Sequence, residues 1–229
     1  MIFALMLTVV VSSCTKNDPV APGDTTDQTQ SYYPLKVGYW WDYTSTVKGY
    51  PPTYRTTIGP EEVKNGKTYM TSTSTNSTVK GYFRVENNKV YSLGPNPYFG
   101  VNDESEYLSM DYNKAIGDSL EFNSINASSG IPQKYTIIMK EKKSSFTTPT
   151  GVTYSDVLVV RVNLYINYPS VGLMLMTYSD SYYAKGIGHV YTETPGLGNL
   201  ESLQYSSFIE RNLRKLNSCP PSQILFCTK

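Results

Sequence analysis

The sequence is poor in the two residue types on which much enzyme and metal chemistry depends. Its 229 residues include one histidine, His189, and three cysteines. A serine triad needs an imidazole beside the nucleophile, whereas the Gly-Ile-Gly-His-Val surroundings of His189 predict a structural strand residue. The HExxH metal pattern and the nucleotide-binding patterns GxxxxGK[ST] and GxGxxG before a helix do not occur. The sequence therefore predicts a non-enzymatic protein with no cofactor and no metal site.

The chain also has no large excess of charge of either sign. The chain has 20 basic and 19 acidic side chains, which leaves a formal net charge of +1. Phosphate recognition needs a clear basic excess, so no nucleic-acid partner is expected. Hydrophobic residues make up 39% of the chain, which is enough for a folded core.

Long apolar runs are absent except for a short one at the N-terminus. Residues 1–13 read MIFALMLTVVVSS, and only Thr8 is polar between Ile2 and Val11. Such a run is too short for a bilayer span of about 20 residues, and it is typical of a secretory signal peptide. The alternative is an ordinary signal peptide in which the following Cys14 is incidental.

The end of this run, Val11-Ser12-Ser13-Cys14, resembles the cleavage box of bacterial lipoproteins. The resemblance implies cleavage before Cys14 and attachment of a diacylglyceryl group to its thiol, followed by acylation of the new amine. Two or more acyl chains hold a protein stably on a membrane. A membrane is therefore the expected partner, through lipidated Cys14.

Residues 14–31 are predicted to form a flexible tether, because Pro, Asp, Thr and Gln dominate and no hydrophobic period is present. Thr15 and Lys16 follow the lipidated cysteine without the Asp that retains many lipoproteins in the inner membrane. The predicted location is the bacterial cell envelope, with the outer membrane favoured over the inner one.

The two remaining cysteines, Cys219 and Cys227, lie close together near the C-terminus. Outside the cytoplasm such a pair is predicted to form a disulfide, which would stabilise the fold by roughly 2.6 kcal/mol in the chain-entropy treatment. Metal binding by this pair is less favoured, since His189 is distant in sequence.

Residues 32–229 are predicted to form a single all-β domain. Val, Thr and Tyr fill alternating runs, and Asn65-Gly66 and Asn87-Asn88 are typical of tight hairpins. The fold class is a curved antiparallel sheet, either a half-barrel or a sandwich-like arrangement. The predicted strands are Tyr39–Val47, Thr53–Ile58, Lys67–Ser74, Gly81–Val85, Lys89–Leu93, Gln133–Ser144, Thr153–Ile166, Leu173–Ala184 and His189–Thr192, with Leu200–Leu216 as a strand or a short helix.

Three blocks resemble those of a family of uncharacterised bacterial lipoproteins and secreted proteins. Residues 34–43 (PLKVGYWWDY) are similar to a PLxxGxxWxY opening, residues 148–157 (TPTGVTYSDV) contain PxGxxxxDV, and residues 182–190 (YYAKGIGHV) match YYAxGxGxV. The resemblance implies a curved antiparallel sheet or half-barrel akin to periplasmic lipoprotein carriers. It implies no known activity.

Two clusters are candidate binding features. The acidic stretch 102–106, with Asp111, could hold Ca²⁺ on a loop, but a solvated acidic loop is favoured. The aromatic residues around the irregular middle segment could stack on sugars or anchor partners, although tyrosines that fill strand positions are the favoured interpretation. These residues are Tyr91, Tyr98, Phe99 and Tyr107.

The leading functional hypothesis is a lipid-anchored, non-catalytic binding or interaction module of the cell envelope, with a glycan or an envelope protein as possible partners and no assigned ligand-binding residues. The alternative is a carrier that shelters a lipid or other apolar ligand in a concave β half-barrel. Apolar residues on both faces of one strand are compatible with a carrier; these are Val171, Leu173, Met174, Leu175 and Met176. A carbohydrate-active enzyme that uses a carboxylate pair, for which Glu61 and Glu62 were considered, is the least supported hypothesis.

Overall fold

A computed structural model describes residues 30–46, 52–96, 99–101, 103–126 and 129–195, and the main chain of residues 198–206. The described residues form twelve β-strands and no α-helix. The strands are β1 (Trp40–Ser45), β2 (Thr53–Lys64), β3 (Lys67–Ser74), β4 (Ser77–Glu86), β5 (Lys89–Leu93), β6 (Glu106–Asp111), β7 (Ser119–Ile125), β8 (Pro132–Thr147), β9 (Thr153–Tyr168), β10 (Gly172–Ala184), β11 (Gly188–Thr194) and β12 (Gly198–Ser206).

All twelve strands belong to one antiparallel sheet in the order β6-β5-β4-β3-β2-β1-β12-β11-β10-β9-β8-β7. The first and last strands pair with each other in the middle of the sheet. Its two edges, β6 and β7, are consecutive in the chain. The sheet curls into a half-barrel, which confirms the predicted all-β fold class.

The hairpin turns follow from their residues. Asn65 and Gly66 have φ angles of 51° and 75°, and Asn87 and Asn88 have 52° and 59°. Positive φ at both central positions gives the turn whose twist matches that of the flanking strands. The two hairpins predicted from these pairs are confirmed.

Strand β9 passes through the core and is buried on both faces, as its apolar run predicts. Val157 and Val159 belong to one buried cluster, whereas Leu158 and Val160 belong to another, which also contains Tyr32. Consecutive strand residues point to opposite faces. None of the four is more than 2% exposed.

The first described residues fill the interior of the half-barrel. Tyr32 packs in a cluster formed mainly by β7–β10, with its ring 5.5 Å from that of Tyr112. Tyr33 points to the other half of the sheet, with its ring 5.8 Å from that of Phe83. Ser31, which was assigned to the tether, is buried, and its carbonyl accepts a hydrogen bond from the Gly186 amide at 2.7 Å. The folded part therefore already includes Ser31.

Two strands, β6 and β7, were not predicted. They flank the irregular middle of the chain, and β7 does carry the alternating apolar residues Leu120 and Phe122 that could have indicated it. Strand β2 continues beyond Ile58, because a bulge between Ile58 and Glu61 accommodates Pro60 within the strand. The sequence left open whether residues 200–216 form a strand or a short helix. As far as Ser206 they belong to strand β12.

Candidate functional site

One cavity in the described part of the half-barrel is small. A cavity of about 70 Å³ lies between the N-terminal segment and strands β1, β2, β3 and β11. Pockets for small molecules usually have volumes of about 300–1,000 Å³. The cavity is lined by Tyr33, Pro34, Leu35, Trp41, Tyr43, Thr56, Ile58, Ser72, Gly188 and His189.

His189 lies in strand β11, as predicted, and borders this cavity. Its ring lies between those of Tyr43 and Tyr183, with centroid distances of 5.5 and 5.3 Å. Its Nε2 atom is 2.6 Å from the hydroxyl of Thr192. Burial lowers the pKa of His189 to about 4, so the imidazole is neutral at pH 7.

The tyrosines around this cavity are also kept in one protonation state. Burial raises the pKa of Tyr183 to about 12, and it raises the pKa values of Tyr33 and Tyr43 further. The Tyr43 hydroxyl donates a 3.4 Å hydrogen bond to the backbone carbonyl of His189. The interior thus contains neutral hydroxyls and a neutral imidazole packed among apolar side chains.

The acidic stretch is divided: residues 103–105 form an exposed loop, as the sequence favoured, whereas Glu106 and Asp111 are the two ends of strand β6. The Glu106 carboxylate accepts hydrogen bonds from Arg84 (2.6 and 2.9 Å), Lys67 (2.7 Å) and the Tyr69 hydroxyl (2.5 Å). Hydrogen bonding to Arg84 is the main reason why the pKa of Glu106 falls to about 2. Among the described residues, no group of three or more His, Cys, Asp or Glu side chains is arranged to hold a metal ion.

The aromatic rings of the middle segment contact the protein's own chain. Phe99 stacks on Phe122 of β7 at 4.5 Å and meets Tyr107 edge-on at 6.2 Å. The Arg84 guanidinium covers the Tyr91 ring at 4.0 Å. These contacts agree with the favoured interpretation that the rings fill positions in the sheet. Tyr98 lies outside the described residues.

The four apolar residues near the start of β10, from Leu173 to Met176, are exposed and belong to none of the buried clusters of the described core. Together with Val171 of the preceding turn they form the most exposed apolar group on the described sheet. The exposed fractions are 66% for Val171, 52% for Leu173, 44% for Met174, 50% for Leu175 and 47% for Met176. Leu173 and Met174 point to opposite faces of the strand, so both faces of this hairpin are apolar.

The two hairpins at this end of the sheet have no charged residues near their turns. There is no charged residue between Glu121 and Lys134 of the β7–β8 hairpin, or between Arg161 and Asp180 of the β9–β10 hairpin. The hairpins are adjacent, since Gln133 pairs with Ile166. We name residues 122–133 and 162–179 the uncharged end of the sheet; charged residues make up 17% of the whole chain.

Two ion pairs mark the border of the uncharged end. Lys134 contacts Glu121 at 2.7 Å, and Arg161 contacts Asp180 at 2.7 Å. Burial opposes ionisation of Asp180, but hydrogen bonds from Arg161 and Lys140 outweigh it and lower the pKa of this carboxyl. An open cleft of about 270 Å³ lies at the border of the uncharged end, lined by Asn123, Ser124, Pro132, Gln133, Asn167 and Leu173 and by the charged Lys134.

The uncharged end projects from the sheet. Strand β11 pairs with β10 only from Asp180 to Ala184. Residues 172–179 of β10 therefore have no paired strand on that side within the described part of the chain, and this segment is roughly 25 Å long at the usual rise per residue. The apolar residues are evident from the sequence, whereas the early end of the neighbouring strand is evident only from the structure.

The predicted lipidation site, Cys14, and the predicted disulfide, Cys219–Cys227, lie outside the described residues, and both stay predictions. The same is true of the signal peptide and of residues 14–29 of the tether. No helix in the described ranges is long and apolar enough to cross a bilayer.

Comparisons with known proteins place the chain in no characterised family. No protein-family model and no curated protein matches it. Two crystal structures are similar in fold. One is described as "a putative lipoprotein" from Parabacteroides distasonis ATCC 8503, with 14% identity and a TM-score of 0.46; the match covers 77% of this chain and 99% of that one.

The other is described as "a putative exported protein with YmcC-like fold" from Bacteroides fragilis NCTC 9343. It has 11% identity and a TM-score of 0.47, and the match covers 78% of this chain and 100% of that chain. At these values we draw no functional conclusion from either structure.

Proposed function

We propose that this protein is a lipid-anchored component of the bacterial cell envelope that works as a non-catalytic binding module and uses the uncharged end as its contact surface. The observation that carries the proposal is the exposure of five neighbouring apolar side chains at residues 171 and 173–176. Runs of exposed apolar residues on a folded protein mark interaction sites.

The packing of the N-terminal segment against the sheet favours a contact surface at the uncharged end over a ligand site beside this segment. Tyr32, Tyr33 and Leu35 occupy the concave side, and the cavity beside them, about 70 Å³ in volume, has room for no more than a few water molecules. A carrier of an apolar ligand would have to move this segment out of the half-barrel. We therefore prefer the binding module to the carrier.

The lipid anchor is supported by the Val11-Ser12-Ser13-Cys14 box and by the polar residues that follow it. It is tested by the mass of the mature chain isolated from bacterial membranes. We expect loss of residues 1–13, addition of a diacylglyceryl and an acyl group, and two hydrogens fewer for the Cys219–Cys227 disulfide. A Cys14→Ser chain is expected to remain unprocessed, and lipid-free mature protein would contradict the anchor.

The contact surface is tested by photo-cross-linking in living cells. A benzophenone amino acid replaces Met174, and the matched control replaces Val63, which is 70% exposed near the β2–β3 turn at the other end of the sheet. We expect an adduct, with protein or with lipid, at position 174 but not at position 63. Equal yields at the two positions would overturn the proposed contact surface.

A further inference from the structure

We propose that the uncharged end inserts its tip into the lipid interface of a membrane, so that a bilayer surface is the partner of this site. The inference rests on the proposed contact surface and names what that surface contacts. The tip consists of the β9–β10 turn with Tyr168, Val171, Leu173 and Met174, next to the β7–β8 turn with Ile125, which is 65% exposed.

Both faces of the hairpin are apolar near the tip. Leu173 and Met174 are exposed to similar extents, 52% and 44%, on opposite faces of β10. A folded protein partner that docks on one face of a hairpin leaves the other face in water. A lipid interface surrounds an inserted hairpin and covers both faces at once.

Three tyrosines lie along the same hairpin. Tyr168 pairs with Gly172 at the tip, Tyr165 pairs with Leu175, and Tyr178 pairs with Asn163 farther from the tip. Tyrosine has an apolar ring and a polar hydroxyl, and it is enriched where a protein crosses from water into lipid. The rings of Tyr168 and Tyr165 thus lie in the part of the hairpin that would meet the headgroup layer, whereas the Tyr178 ring lies against Arg161 on the water side.

The charged residues lie away from the tip that would enter the membrane. The ion pairs Glu121–Lys134 and Arg161–Asp180 lie behind the tip, where they can stay in water. The open edge of β10 sets a limit, because unpaired backbone groups are not tolerated in the hydrocarbon core. Insertion is therefore restricted to the turn and the first residues of the strands, within the interfacial layer.

The length of the N-terminal segment allows the anchor and the tip to reach the same membrane. Ser31 bonds to Gly186, beyond the end of β10 that lies opposite the tip. From Ala184 to Gly172 the strand spans roughly 40 Å. Residues 14–31 can extend to roughly 60 Å, so lipidated Cys14 could reach past the length of the sheet.

The test uses the full chain, isolated from bacterial membranes and reconstituted in phosphatidylcholine vesicles whose acyl chains are brominated or unmodified. Bromine quenches tryptophan only on contact with the acyl region. Leu173→Trp places a reporter at the tip, Met174→Trp provides a second position, and Val63→Trp is the control; native Trp40 and Trp41 contribute equally to all three. We expect quenching of the added fluorescence to be several-fold larger for the tip variants than for the control.

Equal quenching at the tip and at position 63 would overturn the lipid proposal. Alternatively, the added tryptophans at the tip are shielded from water but not quenched by bromine, and a cross-link from position 174 joins two copies of the chain or another protein. In that case the contact surface is confirmed and the bilayer is the wrong partner. The mass spectrum of the same sample reports lipidation of Cys14 independently. Failure of the anchor and failure of tip insertion are therefore distinguishable.

Discussion

The carboxylate of Glu106 on the edge strand β6 reaches across β5 to bind the guanidinium of Arg84 on β4, with Oε2 2.6 Å from Nε. The same carboxylate receives Lys67 and Tyr69 from β3. One acidic side chain therefore joins three strands and holds the edge of the sheet. Both partners of the main pair are largely buried, with side-chain exposures of 16% and 17%.

Replacement of Glu106 by Gln is expected to lower the free energy of unfolding by about 1–3 kcal/mol, because Arg84 and Tyr69 lose a charged acceptor in a partly buried site. The matched control is Glu62→Gln, which breaks the more exposed Glu62–Lys80 pair on the same sheet. Exposed pairs contribute about 0–1 kcal/mol. Urea unfolding followed by tryptophan fluorescence measures both variants, and equal losses would contradict the role of Glu106.

The pH dependence of stability should differ between the wild-type chain and the Glu106→Gln variant. The folded pKa of Glu106 is lowered to about 2, while the unfolded chain has a value of about 4.3. The stabilisation is therefore complete above the unfolded pKa and is lost as the pH falls through the folded value. Between about pH 5 and pH 2 we expect the wild type to lose more stability than the variant in urea titrations. Parallel curves would show that Glu106 titrates normally.

His189 offers a direct measurement because it is the chain's only histidine. Its imidazole proton signals in an NMR titration should shift with a midpoint near pH 4, since burial lowers the pKa to about 4. The urea-unfolded chain is the control and should titrate near 6.5. Because the folded pKa is the lower one, this group also destabilises the fold as the pH falls from about 6.5 towards 4. A folded midpoint near 6.5 would show that the imidazole is open to water.

Gly100 lies so close to β7 that a side chain there would clash with the backbone carbonyl of Asn123. Gly100→Ala is expected to destabilise the fold by about 2–4 kcal/mol, from the clash and from its φ of 75°. Gly151→Ala is the control, because Gly151 also has a positive φ but open space around it. We expect a loss of about 1 kcal/mol for the control. Thermal unfolding by circular dichroism compares them, and equal losses would place the strain in φ alone.

Much of the fold could be predicted because it is encoded locally. Asn65-Gly66 specifies a turn through its own backbone preferences, and the strands on either side follow from alternation. Lys67–Ser74 and Lys89–Leu93 have the predicted bounds. The short edge strands β6 and β7 could not be separated from the irregular segment beside them, since their weak alternation is supported by distant partners.

For the candidate site, the sequence could predict which residues are apolar but not how exposed or how paired they are. Alternation shows that Leu173 and Met174 face opposite sides, but it cannot show that β11 leaves this part of β10 unpaired. The partners of Glu106 could not be predicted from the sequence either, because Lys67, for example, is 39 residues away. Exposure and ion pairing depend on which strands become neighbours, and sequence spacing does not contain that information.

The pairing of the first strand with the last has a consequence for how the chain folds. Strands β1–β6 and β7–β12 are each a simple meander in which every strand pairs with its neighbour in sequence. Among the described residues one strand pairing, the seam between β1 and β12, joins them, and it brings Trp40 beside Ser206. Local hairpins close short loops at small entropic cost, whereas this seam closes nearly the whole chain. We therefore expect the two half-sheets to form first and the pairing of β1 with β12, at the centre of the sheet, to form last.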